Sequence, residues 1–406
     1  MNASSKNVQV NGFCPFWRVT LWGLRLGKET LSNHLLTAGR WIGCLGLLLA
    51  SFGGARAADL PLTLTNVLQI KALPTGEAAK GHWVQVEGIL TYVHPSSYAL
   101  FFQDSTGGIY VKGGSPEQLQ ALNIRPGQKI VLEGRTEAGP VSPIIGPLNP
   151  GSSPQIRQLG DGQLPEPKAV SPDFTAYVAF ENRWVEAKGV VRRIEPASED
   201  PLDDRVRMTL DAATGRFEII LARFPKTAGL AEALVDSRVG VNGVYSLVTN
   251  ERQQVIGVQI LVPGMEFVKV ETAAPTDPFS IALSPLETVL QLNLDLKSGH
   301  RVRVSGTVVL VRARVGFFVQ EGESGFWVAT DQLGDLKRGE MVEIVGFPDL
   351  KGLRPGLEGV IYRITGSTNL PAPIDLRSDG STTKSLEGRL VTAQGRLIDQ
   401  GFHQEG

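Results

Sequence analysis

Two short stretches of the chain set aromatic rings beside an amide. Side chains alternate across a strand, so within residues 100–111 Phe101, Gln103 and Tyr110 share one face while Leu100, Phe102, Ile109 and Val111 share the other. Residues 317–328 repeat the arrangement, with Phe318, Gln320 and Trp327 against Phe317, Val319, Phe326 and Val328. The all-apolar set is expected inside. The aromatic set could stack a sugar ring, a base or an aromatic peptide side chain, with the glutamine supplying a donor and an acceptor. These six residues are the candidate ligand-binding set. The same face would also pack against a neighbouring module or a preceding helix, and that packing role is the preferred reading.

Other chemistry is sparse. There is no phosphate-binding loop, no dinucleotide fingerprint, no nucleophile elbow and no zinc-binding H-E-x-x-H. His82 and His300 stand just before the first strand of their repeats, where a turn residue is the simpler reading than one metal ligand per module. Residues 195–204 (EPASEDPLDD) lack the regular spacing of a calcium loop and read as a solvated acidic segment. No cofactor, no metal and no enzymatic activity are therefore expected of this chain. Arg303, Arg312 and Arg314 form the only basic cluster near an aromatic face, too few to track phosphates, so nucleic acid is disfavoured.

These residues sit on a repeated framework. Residues 84–90, 185–191, 302–308 and 391–397 are the same alternating strand with a central glycine, and Gly88, Gly189, Gly306 and Gly395 lie 101, 117 and 89 residues apart. A glycine inside such a strand points to a bulge or sharp bend, as a small closed barrel needs. Residues 102–111 align without gaps on 319–328, and both read as strand, glycine-containing turn, strand. Residues 126–134 and 337–346 supply a tight turn into another strand. The middle copy is the most divergent, with its hairpin at 208–217 and a later strand at 238–244. Helical pattern is confined to residues 65–79 and to a short helix after Ser284, which fits a capping box with proline at the first position. Five short bent strands per copy favour OB-like barrels over an immunoglobulin-like sandwich.

The expected fold class is all-β: tandem OB-like small β-barrels with short connecting helices, preceded by a signal segment. The expected division is a leader at 1–58, barrel 1 at 59–160, a divergent barrel 2 at 173–271, barrel 3 at 284–376 and the start of a fourth copy at 385–406, which looks truncated. Residues 41–54 are an apolar run of 14 behind Arg40, followed by a small-residue cleavage site of the A-x-A kind at 55–58, which reads as a secretory signal. Cleavage would remove six of the 40 basic and one of the 41 acidic residues, leaving a mildly acidic, cysteine-free exported part, because Cys14 and Cys44 are the only cysteines. No later segment has the apolar length of a membrane span.

Residues 64–79 leading into 84–92, residues 100–108 (LFFQDSTGG), and residues 299–306 (GHRVRVSG) with 318–328 and 339–347 resemble the extracytoplasmic input region of large bacterial membrane-bound sensor histidine kinases. The resemblance spans about residues 60–400, rests on structural motifs and transfers no catalytic or binding residue. It implies a sensory region in the periplasm or on the outer membrane face, binding an unidentified small molecule, glycan or peptide, with membrane anchoring and a kinase in a full-length form. The rival from another class is a secreted OB-fold binding protein for polysaccharide or single-stranded nucleic acid.

Overall fold

The computed structural model describes residues 63–396 and 398, apart from 95–98, 114, 150–151, 153, 173–176, 202, 291–298, 331–333, 350–355 and 377–385. The leader, both cysteines, His34 and His403 lie outside the described residues. No helix among the described residues is long and apolar enough to cross a membrane.

Barrel 1 opens with two short helices, α1 (Val67–Lys71) and α2 (Thr75–Ala78), in place of one helix over 65–79. Its strands are β1 (Trp83–Val93), β2 (Ala99–Gln103), β3 (Gly108–Lys112), β4 (Gln128–Glu137), β5 (Ile144–Gly146) and β6 (Gln155–Asp161), with α3 (Pro116–Ala121) between β3 and β4. Barrel 2 comprises β7 (Lys168–Ala169), α4 (Tyr177–Phe180), β8 (Trp184–Pro196), β9 (Val206–Ala212), β10 (Gly215–Leu221), α5 (Leu230–Leu234), β11 (Arg238–Thr249), β12 (Val255–Val262) and β13 (Val268–Thr272). Barrel 3 follows α6 (Leu286–Leu290) with β14 (Val302–Arg312), β15 (Gly316–Glu321), β16 (Ser324–Ala329), β17 (Glu340–Asp349) and β18 (Gly356–Ser367). β19 (Ile374–Leu376) pairs in parallel with β20 (Val391–Ala393), the first strand of the fourth copy.

All three barrels close with one strand order. Numbering strands within a copy, the ring runs 1-2-3-5-4 and back to 1: β1-β2-β3-β5-β4, β8-β9-β10-β12-β11 and β14-β15-β16-β18-β17. Strands 3 and 5 are parallel in each copy and the other ring pairs are antiparallel. A five-stranded Greek-key barrel with a short helix between strands 3 and 4, as in barrels 1 and 2, is the OB architecture. Closure removes the exposed sheet edge that would otherwise invite pairing with other chains. Strands β6, β7 and β13 are additions outside the rings, so the expectation of five strands per copy describes the rings and not the whole sheets.

The interiors are filled as the alternation requires. Leu100, Phe102, Ile109 and Val111 join Val84, Leu90, Ile130 and Leu132 in one core, and Phe317, Val319, Phe326 and Val328 join Val304, Val308, Val342 and Ile344 in another. The central glycines of the first strands do not mark the bulge. The register shifts fall further along, at Leu90/Tyr92, Val191/Arg193 and Val308/Leu310. Glycine is required because the second strand crosses over it: a Cβ on Gly88 would lie 2.6 Å from the Phe102 ring.

Candidate functional site

The hairpin of strands 2 and 3 carries the candidate residues, and each hairpin meets the copy that follows. In barrel 1, Gln103 ends β2 and is buried. Its Oε1 accepts the main-chain N–H of Trp184, the first residue of β8, at 2.7 Å. Opposite Gln103 in the ladder stands Gly108, whose backbone lies so close to the carbonyl of Asn182 that no side chain could replace its hydrogen. Asn182 adopts φ +62°, turning the chain into β8, while its own N–H donates to the carbonyl of Tyr245 within barrel 2. Arg183 reaches back to the Thr106 carbonyl at 2.9 Å, and Lys71 pairs with Glu181 at 2.9 Å.

Beside these polar contacts lies an apolar cluster shared by two barrels. Tyr92 and Phe101 from barrel 1 are buried with Trp184, Ile220, Val244 and Leu261 from barrel 2, and Tyr110 and Phe267 pack against the group. The rings meet edge to face, Tyr92–Phe101 at 5.9 Å and Phe101–Tyr110 at 5.4 Å between centroids, a favoured aromatic geometry. Phe101 and Gln103 are buried at this joint and Tyr110 is half-buried, the arrangement that packing against a neighbouring module would produce. Barrel 2 covers them, because their row forms the seat on which its first strand enters.

Barrel 3 repeats the polar half of this joint. Gln320 is buried, and its Oε1 accepts the N–H of Leu390, the residue before β20, at 3.0 Å, while its Nε2 donates to the Gly322 carbonyl. Gly325 abuts the backbone of Gly388, which has φ +71°. In the repeats Leu390 corresponds to Trp184 and Gly388 to Asn182. A left-handed residue two places before Trp184 and Leu390 therefore turns the chain onto a glutamine–glycine seat in both joints. Phe318 and Trp327 remain half-buried, their ring centroids 4.8 Å apart.

The seat also orders the helix that precedes its own barrel. Asp104, next to Gln103, accepts the N–H of Val67 at the start of α1 at 2.8 Å, and Glu321, next to Gln320, accepts that of Leu286 at the start of α6 at 2.7 Å. These carboxylates satisfy N–H groups that a helix start leaves without an internal partner.

Barrel 2 has no such glutamine. Asp211 and Arg216 occupy the places of Gln103 and Gly108, and the joint to barrel 3 is ionic. Buried Arg192 binds Asp211 at 2.8 Å and the Pro348 carbonyl at 2.8 Å. The Phe347 ring lies between the guanidinium groups of Arg192 and Arg301, at 4.9 and 5.0 Å from its centroid. Arg216 meets Glu358 at 3.3 Å. Buried Asp236 accepts from the Arg301 N–H and faces His300 Nδ1 at 3.0 Å, and His82 faces Glu77 at 3.5 Å, so each of the two equivalent histidines has a carboxylate neighbour. Burial lowers the pKa of both Arg192 and Arg301. Sequence reasoning missed Arg192, Asp236, Arg301 and Phe347. The available signal was the replacement of the hairpin glutamine and glycine by Asp211 and Arg216 in the middle copy alone.

His94, Asp203 and Tyr92 are displaced in their titration at the first joint. His94 Nε2 lies 2.6 Å from the Arg205 guanidinium, beneath which Asp203 forms a short, doubly bonded pair. Burial, reinforced by the Arg205 charge, pushes His94 down to about 4. Arg205 and its own hydrogen bonds hold the Asp203 carboxyl well below the usual range. The acidic segment at 195–204 is accordingly tied to Arg205 at its far end. Burial also raises the Tyr92 phenol to about 12, and among the described residues its hydroxyl has no hydrogen-bond partner.

Taken together, the candidate residues recognise main-chain N–H groups of the same polypeptide and bury aromatic surface. The chain matches no known protein family and no curated protein. Among solved structures it is similar to the hypothetical protein ygiW from E. coli, at 20% identity over 24% of this chain and 90% of that one with a TM-score of 0.19. A murine DNA-binding protein bound to double-stranded DNA is similar at 13% identity over 48% of this chain and 98% of that one, with a TM-score of 0.23. An OBody, AM3L09, bound to hen egg-white lysozyme, is similar at 17% identity over 27% and 100%, with a TM-score of 0.20. Likenesses at this level carry nothing about function. The strand order alone defines the class: the protein is a tandem array of OB-type barrels joined in series.

Proposed function

We propose that the chain is an exported, non-enzymatic array of OB-type barrels serving as the extracytoplasmic input region of a membrane-bound sensor histidine kinase. The observation that carries this reading is the repeated joint. In barrels 1 and 3 the face that OB barrels generally use for ligands instead receives the incoming strand of the next copy through a side-chain-to-backbone hydrogen bond, buried in barrel 1 and part-buried in barrel 3. Barrels locked this way move as packed neighbours, so a ligand that displaces one displaces the next, which is what relay of a signal along an array requires.

The signal-like segment at 41–54 and the family resemblance support export and a signalling role. The rival role as a secreted binder of polysaccharide or single-stranded nucleic acid loses its main support, because Phe101, Gln103 and Tyr110 are engaged at the first joint and the exported part is mildly acidic. The ligand of the array is a small molecule, glycan or peptide held elsewhere than on that row.

The test joins the full chain to a membrane span and to the cytoplasmic part of a sensor kinase whose own input region has been removed. Gly108→Val, which forces a side chain into the Asn182 backbone, should change reporter output at equal protein abundance. Output indifferent to that substitution would remove the signalling reading. Phosphatase fusions at residue 406 test export separately, and an inactive, cytosolic fusion would contradict it.

A further inference from the structure

The joint of barrel 3 with β20 leaves, among the described residues, an apolar row partly exposed. The outer row of barrel 1 runs Tyr92, Phe101, Tyr110 across strands 1, 2 and 3, and barrel 2 closes over it. The corresponding row of barrel 2 is Arg193, Thr209, Glu218, wholly polar, and barrel 3 docks beside it through Arg192 and Arg216. In barrel 3 the row is Leu310, Phe318, Trp327, apolar as in barrel 1, yet Leu310 is 45% exposed and the two rings are half-buried. In the two joints between barrels the composition of the row follows its cover, aromatic in barrel 1 where a barrel sits on it and polar in barrel 2 where none does.

We propose that Leu310, Phe318 and Trp327 form a docking surface for the body of a further OB-type barrel whose first strand is β20, seated as barrel 2 is seated on β8. Three observations name this occupant over a free ligand. Gln320 and Gly325 hold Leu390 and Gly388 as Gln103 and Gly108 hold Trp184 and Asn182, so the strand that would carry the barrel is already in place beside the row. β20 has a parallel partner, β19, as β8 has β7. Among the described residues β20 pairs with β19 alone, whereas β1, β8 and β14 each pair with strands 2 and 4 of their own rings. The barrel it seats would present apolar residues at the places of Ile220, Val244 and Leu261.

This inference rests on the serial-array reading but not on any kinase, so its test is independent of reporter output. Val391, Thr392 and Ala393 match Val185, Glu186 and Ala187, which permits grafting. One chimera replaces everything after residue 393 with residues 188–272. A second replaces everything after residue 387 with residues 182–272, bringing its own lead-in turn. Hydroxyl-radical oxidation of Trp327, read by mass spectrometry, should fall about fivefold or more in a chimera relative to the unmodified chain, with Trp83 unchanged as the internal control. Undiminished oxidation of Trp327 beside a grafted barrel that is folded by hydrogen exchange would overturn the proposal. So would failure of the grafted segment to fold in both chimeras while the same residues fold behind barrel 1, because the two seats would then not be equivalent. Protection of Trp327 in the unmodified chain by added oligosaccharide, or by concentration-dependent self-association seen in sedimentation, would assign the row to a ligand or to a second copy and overturn it as well.

Discussion

The joint between barrels 1 and 2 and the joint between barrels 2 and 3 solve one problem with opposite chemistry. The first buries Tyr92, Phe101, Trp184, Ile220, Val244 and Leu261 beside a glutamine-to-backbone hydrogen bond, with Arg183 reaching Thr106 and Lys71 paired to Glu181 at its edge. The second is an ionic lattice of Arg192, Asp211, Arg216, Asp349 and Glu358 with Phe347 clasped between two guanidinium groups. Apolar burial stabilises roughly in proportion to area and is not screened by ions, whereas ion pairs must overcome desolvation and weaken as ions screen them. One contact type therefore favours a permanent coupling and the other an adjustable one, within a single chain of otherwise similar modules.

The largest expected effect falls on the apolar joint. Phe101→Ala empties a fully enclosed site and should cost about 3–4 kcal/mol in urea unfolding, while Phe318→Ala at the equivalent, half-exposed place should cost about 1 kcal/mol. Equal losses would erase the distinction between covered and uncovered rows. Arg192→Met should cost about 2 kcal/mol, less than for an isolated buried pair because Arg216 remains 3.8 Å from Asp211. It should also lengthen the particle in small-angle scattering at 0.5 M NaCl, a condition that leaves a Phe101→Ala variant no more extended than at low salt.

A third prediction concerns acid. His94, facing Arg205, Asp203 and the Tyr92 ring, titrates at about 4 when folded against 6.5 in its ordinary state. The unfolded chain binds the proton first, so the contribution is complete above pH 6.5 and is lost progressively as pH falls toward 4. His94→Gln should flatten the melting temperature over that window, and an unchanged slope would place the acid sensitivity elsewhere. The smallest effect has the opposite sign. Tyr92→Phe removes a buried hydroxyl that has no partner among the described residues and should leave stability unchanged or raise it by up to about 1 kcal/mol in the same urea titration.

Much of the architecture was legible because a barrel writes itself locally. Alternation separates Phe102 from Phe101, and glycine at 88, 189 and 306 records the crossing of a neighbouring strand, so ring interiors and hairpin positions follow from residue order. The glycine was visible while its cause was not: the bulges lie beyond it, at residues 90–92, 191–193 and 308–310. Phe101 and Tyr110 pair across the outer face of barrel 1, and Phe318 and Trp327 across that of barrel 3, yet sequence could not separate a face that stacks a ligand from one that stacks Trp184 and Val244. Those partners stand 81 residues or more beyond Gln103, and the pairing is a matter of long-range geometry.

By itself the sequence determined that this protein is a series of small curled sheets, because strand period, hairpin turns and repeated glycines depend only on near neighbours along the chain. Only the tertiary structure decided what the outer faces do. Gln103 and Gln320 became seats for a following strand, and Arg192 became a clasp on Phe347, because those contacts join residues whose proximity exists only after the barrels have closed and docked.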